Sequence, residues 1–259
     1  MKIRTIGFIG GGRITRIFFT SFSNVPITFD QVHVFDPQET ILLSLRKQFP
    51  GIITSSTDRA GAAGAEVVFL AVHPPAMMET LAGIRNMVKP DAILVSLAPK
   101  ITMQKISDAL GGFVNIARIN PSASTVINKG LNPVCFSPQM AEEKKADVVS
   151  LMQHLGKLPQ IAEHKIEAYA MISAMGHTYF WPQIEKLREL AVSFGMDDVE
   201  AKAVIAEMLH GTVNTLFKSG LSYAEVVDLI PVKPLGDVES TILGYYDQYL
   251  NGLYQKIKA

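Results

Sequence analysis

The chain has 259 residues, room for one large domain or two smaller ones at roughly 100–200 residues each. Hydrophobic residues make up 48% and charged residues 19%, which supports a sizeable core and excludes disorder as the dominant state. Lys and Arg number 24, as do Asp and Glu, so the net charge is zero and the basic excess of a general nucleic-acid binder is absent.

Through the first 155 residues or so, short apolar β-rich runs alternate with helical patterns. The predicted strands are Ile3–Ile9, Val32–Phe35, Val67–Val72, Ala92–Leu97 and Val114–Ile119. Each is nearly all apolar, as a parallel strand buried on both faces is. Between them the predicted helices are Ile14–Phe22, Glu39–Gln48, Ala76–Ile84 and Met103–Ala109, the last after Thr102 as N-cap. A sixth strand near Pro133–Ser137 and a helix over Met140–Leu155 follow. Alternation of this kind specifies a doubly wound parallel sheet.

Beyond Leu158 the strand signal stops. His164–Phe194 reads as one long helix kinked at Pro182, and Gly195 ends it. Asp197 opens a helix running to about Ser219, with Glu200 three residues on and Gly220 at its close. Ser222 and Glu225 form a capping box before a short helix. Pro231–Gly236 is a break, and a last helix runs from about Asp237 to Lys256. The fold class is therefore α/β: a Rossmann-like domain over residues 1–158, then an all-helical domain over 159–259.

The single cysteine, Cys135, allows neither an intrachain disulfide nor a cysteine metal cluster, so no metal is expected and a reducing compartment is suited. The stretch Ile6–Ile9 is too short for a signal-peptide core. The longest apolar run, Ala168–Ile184, contains His177 and Pro182 and falls short of the ~20 residues of a spanning helix. A soluble cytoplasmic protein is expected, acting on a small molecule without nucleic acid or membrane.

The strongest motif is Ile6-Gly7-Phe8-Ile9-Gly10-Gly11-Gly12-Arg13-Ile14-Thr15, which leaves the first strand and opens the first helix. Gly10 allows the tight turn and Gly12 lets the backbone approach a pyrophosphate, at which the amides of Arg13 and Ile14 would point. Thr15 replaces the third glycine and crowds the helix–strand contact. Asp36, roughly 20 residues further on at the end of the second strand, suits the ribose hydroxyls and repels a 2′-phosphate. No Arg or Lys lies between Asp36 and Arg46 to offset that, so NAD(H) is favoured and NADP(H) remains possible. The other role for Asp36 is a turn-former before Pro37. Ala71-Val72-His73-Pro74 ends the next strand, at the edge of the crevice where a cofactor ribose would lie, His73 serving there or as a plain loop residue.

These residues make the sequence similar to the pyrroline-5-carboxylate reductases. The resemblance runs through Ile6–Gly12, Val34–Phe49, Val67–Pro74, Val95–Thr102, Arg118–Gly130 and Ile172–Glu185, in family order and spacing. It implies an N-terminal Rossmann domain, a C-terminal helical domain that interlocks two subunits, and an active site between the nicotinamide and helices of the dimer. It also implies an NAD(P)H-dependent reductase that transfers hydride to a cyclic C=N carbon.

The departures fall at the chemistry. The family's Arg-x-Met-Pro-Asn-Thr-Pro is here Arg118-Ile119-Asn120-Pro121-Ser122-Ala123-Ser124, so Ser122 stands where an asparagine lies near the substrate. Arg118, Pro121, Asn128 and Gly130 match. Ala-Val-Lys-Pro is Ala71-Val72-His73-Pro74. Ala-Ala-Gly is Ala98-Pro99-Lys100, a cation in place of a glycine, with Ala98 beside the cofactor. Ser-Gly-Ser-Ser-Pro-Ala-Tyr is Ser173-Ala174-Met175-Gly176-His177-Thr178-Tyr179. The carboxylate-binding loop Pro-Gly-Gly-Thr-Thr matches Pro234-Leu235-Gly236-Asp237-Val238 with one residue inserted before it. Gly236 and Asp237 thus fall at the substrate, where Asp237 repels a carboxylate unless it caps the last helix.

Such a reductase aligns the nicotinamide with a C=N or C=O carbon and needs a proton donor. His177 is one candidate, because imidazole titrates near neutrality, and Lys100 is a second, as donor or substrate anchor. A core histidine and a solvated lysine are the plain alternatives. The related hydroxyacid dehydrogenases carry a catalytic lysine early in the long helix. Ile166–Phe180 has none. A cofactor-binding sensor without turnover is the non-enzymatic alternative. The last helix carries four of the seven tyrosines, Tyr245, Tyr246, Tyr249 and Tyr254, which suits an interface and a homodimer or larger homo-oligomer.

Overall fold

The computed structural model describes residues 3–258. Its strands are β1 Thr5–Ile9, β2 Gln31–Phe35, β3 Ile53–Ser55, β4 Val67–Leu70, β5 Ile93–Ser96, β6 Ile116–Ile119, β7 Gly130–Leu131, β8 Val134–Phe136 and β9 Gly156–Lys157. The main sheet has the order β3-β2-β1-β4-β5-β6-β8. All its pairings are parallel except β6 with β8, where Arg118 faces Cys135. β7 and β9 form a separate two-stranded ladder.

The helices packed around the sheet are α1 Arg13–Ser23, α2 Glu39–Gln48, α3 Ala60–Ala63, α4 Pro74–Ile84, α5 Met103–Ala109, α6 Glu142–Met152 and α7 Ile166–Tyr169. Two apolar clusters cover the two faces of the sheet. One centres on Phe8, Phe18, Phe19 and Phe69, with Phe8 and Phe69 stacked at 4.5 Å. The other joins Leu70, Met77, Leu81, Leu94 and Ile106. Continuously apolar strands are what burial on both faces requires.

The chain divides into two compact units, Met1–Met175 with Tyr254–Ala259, and Gly176–Leu253. The first therefore extends past the expected boundary near Pro159. Ile161 and Ile166 pack into its core, and Glu163 and Glu167 pair with Arg118 of β6. The second unit is helical: α8 His177–Ser193, α9 Asp198–Lys218, α10 Tyr223–Asp228, α11 Glu239–Tyr245 and the start of α12 Asn251–Ile257. A π-helical stretch, Tyr246–Leu250, joins α11 to α12.

Three expectations need correction. β3, an edge strand of three residues in polar surroundings, is too short to show a period. The long helix from His164 is not one element. A 3-10 turn, Glu163–Lys165, precedes α7, and a π stretch, Ala170–Ala174, follows it. Its break lies at Met175–Gly176, whereas Pro182 sits inside α8 without ending it. At the break the ladder changes register: Met175 N donates to Ala170 O and Tyr179 N to Gly176 O. Asp237, finally, does not cap the last helix. It lies inside the 3-10 turn Gly236–Val238, and Val238 occupies the N-cap of α11 without a side-chain bond. Among the described residues no helix is long and apolar enough to cross a membrane.

Candidate active site

The crevice lies where the carboxyl ends of β1 and β4 diverge, the switch point of a doubly wound sheet. Gly10 leaves β1 at φ +108, and a Cβ there would lie 2.5 Å from Ala71 O. Only glycine meets both conditions. A Cβ on Gly12, the N-cap of α1, would meet nothing within 4 Å. No side chain caps α1 and its first turn holds no acidic residue, so its leading amides face an open space suited to an anion. Thr15 does not crowd the loop. It is fully buried and its hydroxyl donates to Gly10 O at 2.6 Å, closing the turn that a third glycine would have left to packing. Gly7, which sequence reasoning passed over, has the closest approach of all: a Cβ would fall 1.9 Å from Ala62 O of α3.

Asp36 stands at the end of β2 with 7% of its surface exposed. Its carboxylate accepts from Gly11 N at 2.8 Å and from Gln38 N at 2.9 Å. Asp36 is thus both the turn-former and an anchored carboxylate beside the glycine loop. The nearest downstream cation, Arg46, is paired with Glu39 at 2.7 Å. Across the crevice, Ala71 N donates to Ile9 O, and His73 and Pro74 form the N-terminus of α4. The glycine loop, Asp36 and residues 71–74 therefore come together at the carboxyl ends of the neighbouring strands β2, β1 and β4.

Further along, the carboxyl ends of β5 and β6 hold a buried ion cluster that sequence reasoning missed. Arg118, 1% exposed, donates through Nη1 to Glu163 at 2.9 Å and through Nη2 to Glu167 at 2.8 Å. The same carboxylate oxygens accept from Met103 N at 2.7 Å and Lys100 N at 3.3 Å. The cluster thereby pins the loop between β5 and α5. That loop carries buried Ala98 and exposed Lys100, whose backbone is left-handed at φ +70. Such a conformation costs a non-glycine residue roughly 1 kcal/mol and persists where its surroundings over-determine it. Cys135, buried beside the cluster, has its thiol pushed up to about 12, chiefly by desolvation.

The remaining candidates are dispersed. Ser122 is buried, its amide bonded to Asn132 Oδ1 and its hydroxyl accepting from Leu131 N at 3.1 Å. It belongs to the turn that also holds Asn128, at φ +57, and Gly130. His177, Gly236 and Asp237 belong to the helical unit. His177 opens α8 and is stacked on Trp181 at 5.5 Å, on the unit's surface and not in a core. Gly236 and Asp237 are exposed. Among the described residues no group of three or more His, Cys, Asp or Glu side chains could hold a metal ion.

A dinucleotide crevice on a doubly wound sheet, followed by a helical unit, defines the class: an NAD(P)-dependent oxidoreductase. Residues 5–100 match the family described as NADP oxidoreductase, coenzyme F420-dependent. Over 228 residues, 88% of this chain and 84% of its relative, the sequence is 26% identical to pyrroline-5-carboxylate reductase of Escherichia coli (strain K12). The structure of Plasmodium falciparum pyrroline carboxylate reductase with NADP bound superposes with TM-score 0.81 at 20% identity, covering 100% of this chain and 98% of that one. The 1-pyrroline-5-carboxylate reductase of Streptococcus pyogenes does so with TM-score 0.81 at 17% identity, covering 100% and 99%. Over most of its length the chain is similar in sequence to pyrroline-5-carboxylate reductases, and it shares their fold.

Proposed function

We propose that the protein reduces the C=N bond of a small cyclic imine with a nicotinamide dinucleotide. The observation that carries this is the open, uncapped N-terminus of α1 behind Gly10 and Gly12, with Asp36 anchored beside it. When bound, the reduced cofactor supplies a hydride at the nicotinamide C4. The amides of Gly12, Arg13 and Ile14 take the diphosphate, and Asp36 accepts from the ribose hydroxyls. Ala71, Val72, His73, Pro74 and Ala98 flank the rest of the dinucleotide. The proton for the imine nitrogen comes from Lys100 or His177. Ser122, Gly236 and Asp237 shape the substrate end. An aspartate there disfavours a carboxylate, so the preferred imine differs from one that carries its acid group at that position.

NAD(H) is the preferred cofactor in this proposal, because Asp36 is fixed in place and Arg46 is already paired. NADH is expected to bind more tightly than NADPH, and Asp36→Ser to narrow or reverse the difference. Equal affinities in the parent protein would remove Asp36 from cofactor selection. The proposed assembly is a homodimer through the helical unit. Among its described residues only Gly176, Ala201 and Ile205 are buried, while Phe194, Phe217 and Val232 are 79%, 76% and 72% exposed. Turnover is tested by NADH oxidation against a panel of cyclic imines with and without a carboxylate. Cofactor binding without oxidation of NADH on any of them would make the protein a sensor.

A further inference from the structure

Three buried polar atoms without a hydrogen-bond partner among the described residues belong to the neighbouring strands β5 and β6 and the residues after them: Ser96 Oγ, Arg118 Nε and Asn120 Nδ2. Ser96 closes β5 and is in register with Arg118 on β6, and Asn120 follows β6. Buried donors are rarely left unpaired, and those that are mark a missing partner more often than a tolerated loss. Arg118 and Asn120 also line a cavity of about 10 Å³, together with Leu97, Ala98, Pro99 and Glu167. That is room for about one water-sized group.

The charge at the cavity restricts what can enter. The Arg118 guanidinium already faces two carboxylates, Glu163 and Glu167. A carboxylate or phosphate would be a third anion around one cation, in a space with little water to screen it. A neutral oxygen that only accepts hydrogen bonds, or that also donates to Glu167, suits the site. In a doubly wound fold the adenosine lies towards β2 and the nicotinamide towards β4 and β5. The cavity is therefore on the nicotinamide side.

We propose that Arg118 Nε and Asn120 Nδ2 form a donor pair for one neutral acceptor oxygen, either a resident water or the carboxamide oxygen of the bound cofactor. The proposal rests on the reading of the crevice as a dinucleotide site. Its role is positional: the oxygen completes the network that fixes the loop carrying Lys100.

Calorimetric titration of the parent, Asn120→Leu and the isosteric Asn120→Asp with NADH and with ADP-ribose, which lacks the nicotinamide, separates the two sources. Crystal structures of the parent with and without NAD⁺ accompany it. If the carboxamide is the acceptor, both variants weaken NADH binding about five- to tenfold and leave ADP-ribose unchanged. If a water is the acceptor, neither ligand is affected, and both parent crystals show one oxygen within hydrogen-bond distance of both nitrogens. The proposal is overturned if the crystals show the two nitrogens bonded to protein or to an anion, or show nothing near them while both ligands bind all three proteins alike. Failure of the parent to bind ADP-ribose would instead refute the dinucleotide reading, and the ligand-free crystal would still decide the water.

Discussion

At the residue scale, Gly10 and Gly12 do different work although they stand two apart. Gly10 is needed by the fold, with its positive φ and the carbonyl of Ala71 against it. Gly12 has free space around it, so the fold itself does not require a glycine there, and in the proposed function that space takes the diphosphate. Gly12→Val is therefore expected to keep the parent's thermal midpoint and lose dinucleotide binding, whereas Gly10→Ala should lower the midpoint as well. Equal NADH affinity in Gly12→Val and parent would take the loop out of the site. Lys100 is the converse case, a lysine held where glycine is better suited. Lys100→Gly is expected to stabilise the protein by about 1 kcal/mol in chemical denaturation and to lower kcat/KM at least about tenfold. A rise in stability with unchanged kinetics would make the lysine a bystander. The glycine turn and the place of Asp36 at the end of β2 were legible because a strand, a glycine run and a helix follow one another directly in the chain, although their contacts reach Gly11 and Ala71. The Arg118 cluster was not, since its carboxylates lie 45 and 49 residues away and no periodicity links them.

At the scale of elements, helix starts written in local side-chain chemistry read well. Asp197 accepts from Val199 N and Glu200 N, and Ser222 and Glu225 make the reciprocal box. Asp237 has the same residue type before a helix and caps nothing, because it lies inside the 3-10 turn through which the chain enters α11, one residue before the N-cap Val238. Residue type alone does not report that entry geometry. Asp197→Ala is expected to cost about 1 kcal/mol and Asp237→Ala less than about 0.5 kcal/mol, by thermal unfolding. A larger loss at Asp237 would show a contact made elsewhere. Apart from the short edge strand β3, the strands of the parallel sheet were legible from their nearly all-apolar runs, with ends shifting by one or two residues. The long helix was misread because its apolar run continues across Met175–Gly176, where only the hydrogen-bond register changes.

For the whole molecule, an N-terminal doubly wound half and a C-terminal helical half follow from where alternating strand and helix patterns stop. Where the compact units divide does not, since residues 159–175 are held to the sheet by Arg118 and by apolar contacts that carry no local signature. The exposed apolar side chains of the helical unit are expected to be covered in a homodimer, burying over ~2,000 Å² as obligate interfaces do. Sedimentation equilibrium should give twice the chain mass at micromolar protein, and a chain shortened before Tyr245 should lose dimer and activity together. A monomer with full activity would contradict this. The central claim is hydride transfer to a cyclic imine, and its most direct test is the steady-state loss of NADH absorbance with 1-pyrroline and 1-pyrroline-5-carboxylate as substrates. Saturable oxidation of NADH with at least one of them, abolished in Gly12→Val, is the expected result. NADH that binds with parent affinity yet is oxidised by neither imine would contradict it.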